Sequence, residues 1–235
     1  MCVHSRDDSF WLRVDAMKLT ELEDYYQQNR VHYSELFDLR IHRALSWLKK
    51  AESSSKDLDA CFIALWIAFN AAYAREMEHT STPSDRSDSQ QFLYTVCRVD
   101  KSNRIYHLLW QTFSKNIRVL LDNPYTFQPF WEYHNGRTSD SAWREAFEEA
   151  KSRTNTALAE QNTGLVLSNV FARLYTLRNQ IVHGGTVYNS PYTRAQLRDG
   201  CAILKQCIPL ILQIMQENHT LPDWGKPFYP HVDAP

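Results

Sequence analysis

Apolar positions recur at helical spacing along almost the whole chain, and no alternating strand pattern survives beside them. Residues 31–51 place Leu36, Leu39, Ala44, Trp47 and Leu48 on the period, and the run ends in the linker Ser53-Ser54-Ser55. Residues 58–77 carry the strongest signal, through Leu58, Cys61, Phe62, Leu65, Phe69, Ala72 and Tyr73. The opposite side of that segment holds Ile63, Ile67, Asn70 and Ala74, so it is apolar nearly all round and belongs in the middle of a bundle. Asn70 is then a buried polar group that needs a partner, a backbone group before Arg178. Residues 80–91, rich in Ser and Asp and containing Pro83, read as an exposed loop. Residues 103–133 read as shorter helices broken at Asn123-Pro124 and again around Pro129.

Further on, residues 141–159 form a more polar surface helix, with Asp140 or Ser141 as its cap. Residues 164–182 form a core helix striped by Leu167, Val170, Phe171, Leu174, Leu177 and Ile181. Residues 194–218 close the bundle through Leu197, Cys201, Leu204, Ile208, Ile211 and Met215, with a kink expected at Pro209. After Leu221, Pro222, Pro227, Pro230 and Pro235 describe an extended arm. The pattern predicts an all-α, single-domain antiparallel helical bundle over 1–235, with additional short helices, a core at about 31–218 and a tail at 219–235.

Composition narrows the class. At 235 residues, 43% hydrophobic and with seven tryptophans, the chain can bury a sizeable core. Six glycines are too few for a fold built on tight β-turns. No apolar run reaches membrane-spanning length, and residues 1–13 lack the apolar centre of a signal peptide, so a cytoplasmic location and no membrane partner are expected. Five cysteines, Cys2, Cys61, Cys97, Cys201 and Cys207, form no CxxC pair; Cys61 and Cys201 fall on core faces, where a reduced thiol packs as a small hydrophobe. Nine histidines form no HxxxH or His/Cys cluster, so neither a metal nor a cofactor is expected. A net charge of −1 provides no global field for nucleic acid, and a polyanion must be captured by a local patch.

The candidate chemistry lies at Arg178-Asn179-Gln180-Ile181-Val182-His183, followed by Gly184-Gly185. With 17 arginines and nine histidines in 235 residues, any fixed Arg-to-His spacing arises about 0.65 times by chance, so spacing alone carries no weight. Both residue types also finish helices, where they offset the negative end of the dipole. Placement is what separates this pair. It closes a core helix, with Arg178 beside the apolar stripe and Asn179 sharing a face with His183 four residues on. Asn179 is positioned to hold the imidazole or to polarise a neighbouring phosphate. An arginine clamp and a histidine proton carrier together suit RNA cleavage without a metal.

The segment Leu177-Arg178-Asn179-Gln180-Ile181-Val182-His183-Gly184-Gly185 resembles the R-N-x-x-x-H signature of the HEPN superfamily. The segment running from Leu65 to Glu76 is similar to the second helix of many HEPN domains, and the resemblance covers residues 31–218. It implies a helical bundle that dimerises and acts as a metal-independent endoribonuclease (a hydrolase) in toxin–antitoxin, antiviral-defence or RNA-processing systems. Arg178 and His183 take the catalytic positions and Asn179 the polar position after the arginine. The implied partners are RNA, a second copy of the chain, and an antitoxin or regulatory protein. In HEPN toxins silenced by a nucleotidyltransferase, a tyrosine stands two residues after the histidine; here that residue is Gly185, and the nearest tyrosine is Tyr188. The alternatives are a non-catalytic HEPN module binding RNA, nucleotide or a protein partner, and a plain helical interaction protein. Arg173, Arg194 and Arg198 flank the motif as candidate phosphate contacts, and Tyr188, Asn189 and Tyr192 as candidate cleft residues. Phe127, Phe130, Trp131 and Tyr133 read as a hydrophobic cap ahead of a base-stacking platform.

Overall fold

Side-chain caps decide where the central helices begin. Ser34 Oγ accepts from Phe37 N–H at 3.3 Å and Asp57 Oδ1 from Ala60 N–H at 3.1 Å, starting α2 (Glu35–Ser53) and α3 (Leu58–Tyr73). The computed structural model describes residues 17–75, 85–221, 224–227 and 229. Within them, α1 (Leu19–Asn29) precedes the capped pair, and α4 (Asp85–Val99), α5 (Arg104–His107), α6 (Ser114–Leu121) and α7 (Gln128–His134) follow it. The long helices α8 (Asp140–Ala159), α9 (Thr163–Val182) and α10 (Arg194–Glu217) complete the order. Among the described residues the only pairing of extended backbone is one isolated antiparallel bridge, Arg75 with Pro227. The fold is all-α and forms one domain, as the periodicity predicts.

The short turn at residues 54–57 folds α2 back on α3 as a helical hairpin; α10 packs on α3, and α9 on α4 and α8. Phe62, Leu65 and Phe69 of α3, Val170, Phe171 and Leu174 of α9, and Leu204, Ile208 and Ile211 of α10 are buried together. The Phe69 and Phe171 rings lie 4.4 Å apart. Gly200 permits this approach: a Cβ there would meet Phe62 Cε2 at 2.9 Å and Leu174 Cδ2 at 3.1 Å.

Several expectations need correction. The core reaches back past residue 31 to Leu22 and Tyr26 of α1, both buried. The predicted loop at 80–91 is helical from Asp85, because Leu93 and Val96 anchor α4 in the core; residues 80–84 lie outside the described residues. Likewise, the helix expected over 58–77 ends at Tyr73. Ile63, Ile67, Asn70 and Ala74 are half-buried, so one stripe of α3 lies near the surface. Ser139, one residue before Asp140, caps α8 by accepting from Ala142 N–H at 3.2 Å. Pro129 opens α7 instead of breaking a helix, since a first-turn proline forfeits no helical bond. The helix α10 runs from Arg194 to Glu217 with Pro209 inside it.

The arm after Leu221 folds back on the bundle where it is described. Trp224 meets Phe92 and Phe37 at ring separations of 5.9 and 6.5 Å. Arg40, buried completely in α2, holds this segment down. Its Nη1 donates to the carbonyls of Ala72 at 2.7 Å and Ala74 at 3.0 Å, and its Nη2 to that of Gly225 at 3.0 Å. Carbonyls at a helix end have no helical partner and attract a cation, so this guanidinium both caps α3 and pins the arm.

Cys61, Cys201 and Cys207 are buried and Cys97 half-buried, all reduced. Burial disfavours the thiolate and pushes both Cys97 and Cys207 up to about 12. Neither is expected to react with a thiol-specific disulfide reagent in the folded protein at about pH 8, and both are expected to react once urea unfolds it. Labelling read by mass spectrometry decides the matter; modification of Cys207 in the folded state contradicts this packing.

Candidate functional site

The two glycines close α9 as their freedom allows. Gly184 has φ +69°, its N–H bonds the Ile181 carbonyl at 3.1 Å, and Gly185 N–H bonds the Gln180 carbonyl at 2.7 Å. This pair of bonds is a Schellman closure with glycine in the left-handed position. His183 is thereby the last residue in helical register, its N–H on the Asn179 carbonyl at 3.0 Å. The imidazole is exposed and makes no hydrogen bond, ion pair or ring contact among the described residues.

Arg178 is half-buried one turn after Leu174. Its Nη1 donates to Asn179 Oδ1 at 2.9 Å, and its guanidinium carbon lies 5.9 Å from the centre of the Tyr175 ring. Asn179 therefore orients the guanidinium and not the imidazole. Within one chain Arg178 and His183 do not touch; five residues set them roughly 140° apart around a helix. Tyr175 in turn meets Trp66 of α3 edge-on at 5.9 Å. Arg178 Nε, Trp66 Nε1 and Asn70 Oδ1 are all buried without hydrogen-bond partners among the described residues. The backbone bond expected of Asn70 is not made.

The flanking candidates divide. Arg173 is buried, not on the surface beside the motif: its guanidinium lies 4.3 Å from the Phe127 ring centre and 5.3 Å from that of Phe147, and it donates to the Leu121 carbonyl at 3.1 Å. Arg194 is tied to the Asp59 carboxylate at 2.6 Å and the Ser190 carbonyl at 2.9 Å. Arg198 is exposed and has no partner among the described residues. Tyr188, also exposed, donates to Asp57 Oδ2 at 2.9 Å, and Asn189 takes the left-handed conformation at φ +57°. Phe130 and Tyr133 pack on Trp143, and Phe127 on Phe147, as an aromatic cap between α7 and α8.

Asp57 links this loop to α3. Its carboxyl is held below the usual carboxylate range first by the Ala60 N–H and then by the Tyr188 hydroxyl. A lowered folded value means that this contribution is present above the unfolded carboxylate range and is lost as pH falls through the folded value. Asp57→Ala is expected to cost about 1 kcal/mol at neutral pH, the usual loss for a helix cap, and clearly less in acid. Urea unfolding at two pH values measures it; an equal loss at both contradicts the assignment.

A residue inside the motif but outside its Arg, Asn and His positions fastens the helix. Gln180 Nε2 donates to the Tyr125 carbonyl at 2.6 Å, and Trp131 Nε1 donates to the same oxygen at 2.8 Å. Tyr125 sits in the 3₁₀ turn Pro124–Thr126, whose start is capped by Asn123 Oδ1 on Tyr125 N–H at 2.9 Å. The end of α9 is thus fastened to this turn. Nothing about a glutamine after Asn179 announces such a bond. Around the motif, Val182, Val187, Tyr188 and Tyr192 are 50, 73, 73 and 88% exposed, an apolar surface of the kind used for association. Among the described residues no group of three or more His, Cys, Asp or Glu is placed to hold a metal ion, and no helix is long and apolar enough to cross a membrane.

No protein-family model matches the chain, and neither a curated protein nor a solved structure shows significant similarity to it.

Proposed function

We propose that the chain is a metal-independent endoribonuclease of the HEPN type, working as a homodimer and serving as a toxin or antiviral-defence effector under the control of an antitoxin or regulatory protein. The observation that carries this reading is the division of the motif at the exposed end of a core helix. Arg178 is pre-oriented by Asn179, while His183 has no partner among the described residues. Cleavage through the 2′-hydroxyl needs a base for that oxygen, an acid for the departing 5′-oxygen and cationic support for the phosphorane-like transition state. One chain supplies one imidazole and one oriented guanidinium, and the two are not in contact. Two copies meeting across a two-fold axis supply two of each around a single phosphate. The exposed Val182 and Tyr188, which stand outside the cleft between α9 and α10, suit that association. Arg198, exposed and without a partner among the described residues, is a flanking cation for the RNA backbone. No cofactor enters this chemistry.

The test is incubation of single-stranded RNA with the protein in excess EDTA, with product ends analysed. Cleavage that leaves 2′,3′-cyclic phosphate, from a dimer by light scattering, is the expected result. Full-rate cleavage by a stable monomer would overturn the composite site. A second reading, a non-catalytic module that binds RNA, nucleotide or a protein, is favoured by the separation of Arg178 from His183 within one chain. RNA retained without cleavage would select it.

A further inference from the structure

A cavity of about 470 Å³ opens between the turn that carries Tyr125, the loop after α9 and the first turn of α10. That size suits a small organic group. Tyr125, Trp131 and Tyr192 supply aromatic walls, Leu177 and Val187 apolar ones, and Gln196 a side-chain amide. Gln196 Oε1 is buried without a hydrogen-bond partner among the described residues. Gln180 and Gly185 also border the cavity. They stand two residues after Arg178 and two after His183, so the cavity and the motif share the end of α9.

We propose that this cavity seats one unpaired base of the substrate RNA, adenine ahead of the others, next to the phosphate handled by Arg178 and His183. The assignment rests on the ribonuclease reading for its substrate but on different residues for its evidence. Aromatic faces stack on any base, which draws single-stranded RNA and not a duplex. Selection among bases needs a directional group, and Gln196 is the one whose buried acceptor is unsatisfied. A glutamine amide offers a donor and an acceptor side by side, the complement of the adenine amino group and its neighbouring ring nitrogen. Trp131 and Gln180 both bond the Tyr125 carbonyl, so the wall and the motif helix are fixed relative to one another before any ligand arrives. A base held here fixes which phosphate lies over the end of α9, giving cleavage a sequence preference.

The test is calorimetric titration of the full chain with AMP, UMP and ribose 5-phosphate. AMP is expected to bind at least about tenfold more tightly than ribose 5-phosphate, and more tightly than UMP. Tyr192→Ala and Gln196→Leu are each expected to weaken AMP about tenfold while leaving ribose 5-phosphate unchanged. Tyr192 is 88% exposed, so its loss leaves the fold intact and guards against a misfolded Gln196 variant. Equal affinity for AMP and ribose 5-phosphate overturns the proposal, as does AMP binding indifferent to both substitutions. Tyr192→Ala that dissociates a dimer without affecting AMP makes the cavity a protein contact and overturns it too. The two readings fail separately. An inactive protein that still binds AMP through Tyr192 and Gln196 defeats the nuclease alone, whereas an active one unaffected by their loss defeats the base pocket alone.

Discussion

Alanine at His183 is expected to reduce RNA cleavage by about 10²–10⁴-fold, the usual worth of a general acid or base, with no change in thermal stability. The imidazole is exposed and makes no hydrogen bond, ion pair or ring contact among the described residues, so its removal orphans no partner there. Arg178→Lys is expected to fall nearly as far as Arg178→Ala. A lysine can place one charge over the phosphate but cannot keep the planar fork that Asn179 Oδ1 orients at 2.9 Å. Initial rates on a labelled oligonucleotide in EDTA, paired with thermal melts, separate catalysis from folding. A His183→Ala protein that cuts at the wild-type rate removes the motif from the chemistry.

The second large effect falls on stability. Arg40→Leu is expected to cost about 3–5 kcal/mol, because the buried Ala72 carbonyl and the part-buried carbonyls of Ala74 and Gly225 lose a charged donor at once, and an orphaned buried group costs about 1–3 kcal/mol. A typical domain has about 5–15 kcal/mol in hand, so a loss of that size is a large part of the total. Arg40→Lys is expected to recover only part of it, since one ammonium cannot reach both the end of α3 and the folded-back arm. The measurement is the urea midpoint, with proteolysis on the C-terminal side of Trp224 reporting whether the arm has come loose. An unchanged midpoint would show that the arm and the end of α3 do not depend on this side chain.

The readable parts of the sequence are those where one face of a helix is continuously apolar. The stripes of α3, α9 and α10 announce themselves, and Gly184-Gly185 marks the end of α9 to the residue. Helix α1 escapes because only Leu22 and Tyr26 are buried, two positions in eleven residues. The start of α4 escapes because Ser and Asp dominate its first turns, and its anchors, Leu93 and Val96, come late. At the site, the helix end and the exposure of His183 follow from local rules. The fate of arginines does not, because a guanidinium serves equally well inside or outside. Arg173 and Arg194 are committed to the scaffold by partners more than 50 and more than 100 residues away in sequence, and nothing local distinguishes them from Arg198. The Gln180–Tyr125 bond and the cavity beside it are invisible for the same reason, since they exist only once α7, α9 and α10 have met.

The fastening of α9 to its neighbouring turn has a consequence for how such a protein can diversify. Gln180 and Trp131 bond a main-chain oxygen, which any amino acid at position 125 would supply. The Tyr125 ring, half exposed and packed edge-on against Phe130 at 5.2 Å, takes no part in those two bonds, so another aromatic shape there leaves the fastening of the helix end in place. Tyr192, on the other wall, carries no structural bond of its own among the described residues. Variation at these two positions alters what the cleft accepts without moving Arg178 or His183. Under the proposed function, substrate choice and cutting geometry are then inherited separately, and a lineage under pressure to recognise new RNA can change the first without risking the second.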